Sequence, residues 1–141
     1  MDEQPGVSDE YRLSSPWPMF VALGLALSEV GIVINLLPIS VGGLVLFVGS
    51  VAGIVQDAGY VARPWPLLGA LGGTLVVLGA VLVLTQSPAS PSGVLDTVGS
   101  AMAADASANV QRGLSVVVAG TLALLGSAAG TVTGRRSIEA A

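Results

Sequence analysis

LLGALGGTLVVLGAVLVL, the eighteen residues from Leu67 to Leu84, contains no charge and a single hydroxyl, Thr74. A helix needs about 20 mostly apolar residues to cross a bilayer, and about 17 at the least. Backbone polar groups must be satisfied internally in hydrocarbon, so a run of this kind is either a helix or a barrel strand. It lacks the in–out alternation of a barrel strand, and a helix is predicted. Three other segments read the same way: Met19 to Leu36, with Glu29 as its one charge, Ile39 to Val55, and Leu114 to Val132. The expected fold is therefore all-α, an integral membrane protein of four helices arranged as two helical hairpins.

Composition agrees. The 141 residues are 52% hydrophobic and 10% charged, with mean hydropathy +0.83, whereas soluble domains are about one-quarter charged. There is no histidine and no cysteine, which removes disulfides, thiol chemistry, His-ligated haem, Cys-ligated iron–sulfur clusters and the usual zinc and copper sites. No lysine is present, and nine acids against five arginines give a net charge of −4. That balance excludes a basic nucleic-acid surface. Lysine-free, acidic polar segments suit a cell working in concentrated salt; a GC-rich genome, which favours arginine codons, produces the same bias.

The segments divide the chain into an N-terminal tail (1–17), three membrane helices (18–85), a long loop (86–112), a fourth helix (113–133) and a C-terminal tail (134–141). Asn35 to Ser40 reads as a tight turn with Pro38 opening the second helix. The acidic N-terminal flank and the length of the first apolar run argue for a retained helix rather than a cleaved signal peptide. Gln86 to Gly93 has linker chemistry. Beyond it, Val94, Leu95, Val98, Ala101 and Met102 recur at helical spacing, which suggests a short interfacial helix; an Ala/Ser-rich disordered loop is the alternative. Arginines decide orientation. Arg12, Arg63, Arg135 and Arg136 fall on one side and Arg112 on the other, so a multi-pass protein of the cell membrane with both termini in the cytoplasm is expected.

Pro16-Trp17-Pro18 recurs as Pro64-Trp65-Pro66, and Ala22-Leu23-Gly24 as Ala70-Leu71-Gly72, both at a shift of 48 residues. Proline suits the first helical turn, and Trp17 and Trp65 suit the headgroup level as interface anchors. The second and fourth helices show no matching register, so the echo reads as one helix-entry design used twice; a duplicated hairpin is the alternative. Small residues four apart, which let helices approach closely in lipid, occur as Gly24/Ser28, Gly49/Gly53, Gly69/Gly73 and Gly126/Gly130.

Glu29 is the one ionisable side chain inside an apolar segment. Ten residues past Met19, it is placed near the bilayer centre, where a charge costs roughly 3 kcal/mol. No basic side chain is expected to reach it. A neutral carboxyl is predicted, hydrogen-bonded to Ser28, Asn35, Ser50, Thr74, Ser115 or Thr121. It serves either as interhelical glue and anchor or as one step of a proton relay. No nucleophile–base pair and no phosphate-binding loop occurs, so no enzyme, cofactor or metal site is expected.

The stretch Ser8 to Ile32, together with the stretch from Gly42-Gly43 through Gly59-Tyr60-Val61 and with Pro64-Trp65, resembles small haloarchaeal membrane proteins of the cox gene cluster, which encodes parts of haem–copper terminal oxidases. The resemblance covers roughly residues 1–85. It implies an accessory or assembly subunit of a respiratory terminal oxidase with no redox centre of its own, embedded in membrane lipid beside a larger complex. It carries no activity over to particular residues. The residues themselves leave two alternatives open: a small homo-oligomeric transporter or proton-coupled module using Glu29, and a structural membrane protein unrelated to respiration.

Overall fold

In the computed structural model, residues 15–141 are described. They form five helices: α1 (Trp17–Val33), α2 (Leu37–Asp57), α3 (Pro64–Gln86), α4 (Pro91–Met102) and α5 (Ala108–Glu139). The expected N-terminal tail, with Arg12 and the start of the oxidase-cluster resemblance, lies outside the described residues up to position 14. The all-α expectation holds, and the fifth helix is the one suggested in the long loop. α2, α3 and α5 are each long and apolar enough to cross a membrane, while α1 is apolar but only 17 residues long. The expected helix 113–133 is longer than its apolar stretch. Ser107 caps its start by accepting from the Val110 N–H, and the helix runs on through the expected C-terminal tail to Glu139.

Each start has a local cause. Pro18, Pro38 and Pro64 occupy the first turns of α1, α2 and α3, where no intrahelical donor is needed. α1 ends at Val33, earlier than its apolar run, because Asn35 turns into the left-handed region with φ 58°. There the Leu36 N–H bonds back to the Gly31 carbonyl at 2.7 Å, and asparagine tolerates that conformation. The turn to α2 then takes only residues 34–36.

α1 packs chiefly on α2, and α3 chiefly on α5; α2 also meets α5 and α3. The core is built from small residues. Its buried apolar members include Val41, Val48 and Ala52 of α2 and Ala119 and Ala123 of α5, and none is larger than Ile32. Large aliphatics such as Leu25, Val77, Leu78 and Leu125 face outward. This inverts the soluble pattern and is what a lipid-facing surface requires, since lipid supplies no drive to bury leucine and close packing falls to small residues.

The two hairpins use one packing scheme. A Cβ on Gly24 would stand 2.7 Å from the Gly43 carbonyl oxygen, and one on Gly43 would stand 2.6 Å from that of Gly24. Gly72 and Gly120 stand in the same reciprocal relation, at 2.8 and 2.6 Å. Gly31 abuts the Ser40 backbone nitrogen as Gly79 abuts that of Val117, and the Trp17 ring lies on Gly53 as the Trp65 ring lies on Gly130. Every match is a shift of 48 residues in the first helix and 77 in the second. With that second shift applied, Gly49-Ser50-Val51-Ala52-Gly53 aligns with Gly126-Ser127-Ala128-Ala129-Gly130. The reading that the second and fourth apolar segments share no register is thereby corrected: the register is present, displaced by the longer connection between α3 and α5.

Candidate functional site

Glu29 sits four residues before the end of α1, and Arg112 four residues after the start of α5. Both ends lie on the same side of the bundle, since α1 and α3 run one way and α2 and α5 return. The Arg112 Nη2 donates to Glu29 Oε2 at 2.8 Å, and the two side chains are 42% and 51% exposed. This overturns the expectation that no basic group reaches Glu29. The cause is helix boundaries: α1 stops three residues earlier than its apolar run, which leaves Glu29 about 6 Å from the helix end at 1.5 Å per residue. α5 begins six residues before Leu114, which puts Arg112 on a helix facing the carboxylate. The hydroxyls proposed as partners bond their own helices instead. Ser28 donates to Leu25, Ser50 to Leu46, Thr74 to Ala70, Ser115 to Gln111 and Thr121 to Val117.

Asn35 does not meet Glu29 either. Its side-chain amide donates to the Ala104 carbonyl just past α4. Gln111, fully buried, holds the same segment from the other side. With its amide oriented to satisfy both neighbours, it donates to the Ala101 carbonyl at 3.2 Å and accepts from the Leu37 N–H at 3.1 Å. One side chain thus caps the start of α2 and ties down the end of α4. α4 buries Gly93 and Ala101, while Leu95 and Met102, read from sequence as part of its apolar face, are 71% and 76% exposed. Ser40 at the α1–α2 seam is buried with its hydroxyl unpartnered. At the opposite end of the bundle, Ser15 donates to Asp57 at 3.0 Å.

The glycines predicted to pack divide cleanly. Gly24, Gly53, Gly69 and Gly130 are in tight contact, Gly69 with the Ser127 hydroxyl. Gly49 and Gly73 face open space, and Gly126 makes only an ordinary contact with Leu68. The four-residue rule missed Gly31, Gly72, Gly79, Gly113 and Gly120, and the close approaches fall in pairs seven apart: Gly24/Gly31, Gly72/Gly79 and Gly113/Gly120. A seven-residue repeat keeps one seam facing its partner along two turns. Trp17 and Trp65 lie against glycines of the partner helix as well as at helix entries. Among the described residues, no three His, Cys, Asp or Glu side chains cluster as metal ligands. Arg112 and Gln111 were the functional residues missed; the Ser107 cap was the signal that would have placed both on a helix.

A family model described as a family of unknown function, DUF7541, matches residues 1–133. The chain belongs to the DUF7541 family. That match takes in all four long helices of this DUF7541 protein, up to Thr133 in α5, together with the polar end of the bundle. No curated protein and no solved structure matches it.

Proposed function

We propose that the chain is a four-span membrane protein, α1, α2, α3 and α5 each crossing once, with both termini in the cytoplasm. We further propose that it serves as an accessory or assembly subunit of a respiratory complex, a haem–copper terminal oxidase by its sequence resemblance. The observation that carries the reading is the distribution of side chains. Small residues close the seams, and leucines and valines cover the outer faces of α1, α3 and α5. Such a body is suited to standing in lipid against other helices. The arginine asymmetry supports the orientation. The Glu29–Arg112 pair lies near the expected extracytoplasmic boundary, where a long arginine side chain reaches the headgroup level.

Deleting the chain tests the partner. The amount of assembled oxidase should fall while turnover per haem stays within about twofold, a barrier change of roughly 0.4 kcal/mol. Purification in mild detergent should co-elute haem absorbance with the chain. Unchanged oxidase levels together with a colourless homo-oligomer would favour the proton-coupled alternative. Pairing with Arg112 weighs against that alternative, since a proton carrier at Glu29 would first have to part from the guanidinium.

A further inference from the structure

The matched seams make the connection between the paired helices the place where the two hairpins differ most. α1 and α2 are joined by three residues, 34–36, whereas the equivalent stretch of the second hairpin, between Val81 and Leu114, holds residues 82–113. The first hairpin shows that three residues suffice to close this packing scheme. The longer stretch is therefore not needed to turn the chain. It lengthens α3 and α5, and α4 folds back against those two helices with its C-terminal end at the tip of the first hairpin. Its polar contacts cross from one hairpin to the other. Asn35 holds Ala104, Gln111 holds both Ala101 and the Leu37 N–H, and Arg112 holds Glu29. The equivalents of Glu29 and Asn35 in α3 are Val77 and Val83, so these cross-hairpin groups are the ones that break the repeat.

We infer that the protein is one helical hairpin present twice in tandem, and that residues 82–113 are an insertion in the second copy acting as a staple that fastens it to the first. The surface recognised by the end of α4 is thus the tip of the chain's own first hairpin. Each hairpin is locked by its own glycine and tryptophan seam; in the second, Gly113 and Val83 carry that seam into the staple, and Gly72, Gly120 and the Trp65 seat lie outside it. The staple sets how firmly the two hairpins hold one another.

Three measurements test this in the full chain, which has no native cysteine. A Cβ on Gly69 would lie 3.4 Å from that of Ser127, close to disulfide spacing, so Gly69→Cys with Ser127→Cys should crosslink on oxidation. The repeat then requires Val21→Cys with Ser50→Cys to crosslink equally; failure of that pair beside success of the first overturns the tandem reading. Next, residues 82–113 are replaced by Ile-Asn-Leu, copied from positions 34–36. The 69/127 crosslink should persist to the same extent, and its loss means that the second hairpin needs the insertion. Finally, a protease site is placed in the exposed connection 58–63 and cut in detergent. The halves of the full-length protein should stay together, and those of the shortened one should separate, with at least about a tenfold fall in the co-eluting fraction. Equal retention in both overturns the staple.

Discussion

Gly120 is a position in the α3–α5 seam at which one methyl group should cost much for its size. A Cβ there would lie 2.6 Å from the Gly72 carbonyl oxygen, 2.8 Å from the Val76 nitrogen and 2.9 Å from the Leu75 Cβ. Two of these three are backbone atoms of α3 and cannot rotate away. Ordinary contact begins at about 3.4 Å, so Gly120→Ala must push α5 and α3 apart by roughly 0.8 Å or tilt them. Either response loosens the Gly72 and Gly79 contacts on the same face. Overpacking costs about 1–3 kcal/mol, and against backbone atoms that cannot rotate the upper part of that range, about 2–3 kcal/mol, applies; alanine's better helix propensity offsets about 1 kcal/mol of it. A net loss of about 1–2 kcal/mol is expected, a fall of roughly 5- to 30-fold in the folded-to-unfolded ratio. The comparison is Gly49→Ala on α2, where nothing lies within 4 Å, and where stability should hold or rise slightly. Reversible denaturation in mixed micelles, followed by circular dichroism, measures both. A Gly120→Ala protein as stable as the native one, or a Gly49→Ala protein equally damaged, would refute the glycine seam.

Other outcomes follow from the polar end. Gln111→Leu strands the Leu37 N–H, while the Ala101 carbonyl keeps its bond from the Ala104 N–H, and should cost about 1–3 kcal/mol with faster proteolysis of the loop carrying α4. A double-mutant cycle on Glu29→Gln and Arg112→Gln should return a coupling of only about 0.2–1 kcal/mol, since both groups are about half exposed; a coupling several times larger would mean that the pair is shielded by lipid or by a partner. Ala104 holds φ 62°, a conformation that costs most L-residues about 1–2 kcal/mol. Ala104→Gly should therefore raise stability slightly in the same denaturation assay. Trp17→Ala and Trp65→Ala should each empty one glycine-lined seat and lower stability by similar amounts, because Gly53 and Gly130 form equivalent surfaces.

What the sequence revealed and what it hid have physical causes. The apolar runs and the Pro-Trp-Pro entries gave the helices and their starts, because proline and hydropathy act locally. The ends were harder. Val33 closes α1 within a segment that hydropathy carries on to Leu36, and the left-handed turn at Asn35 stops it. At Ala108 the helix begins inside a polar stretch that hydropathy discards. Both errors fell on the candidate site: they moved Glu29 from the helix end to the bilayer centre and removed Arg112 from the helix that faces it. The glycines misled by period. A four-residue spacing selected Gly49 and Gly73, which face outward, while the seams run at seven through Gly24/Gly31 and Gly72/Gly79. The repeat was visible at a shift of 48 in the first helices and invisible at 77 in the second, because residues 82–113 lie between. Gln111 carried no signal of its own; only the fold brings it between Leu37 and Ala101.

The four-span, two-hairpin arrangement in the membrane is tested most directly by accessibility of single cysteines in intact cells. Because no native cysteine competes, substitutions at Ala58, Ser92 and Ala140 can each be probed with an impermeant thiol reagent. The account predicts labelling at Ser92, in the exposed first turn of α4, and protection at Ala58 and Ala140 until the membrane is permeabilised. Labelling of Ala140 with protection of Ser92 would show the protein inverted. Labelling of Ser92 and Ala140 together would mean that α5 does not cross, and would contradict the account.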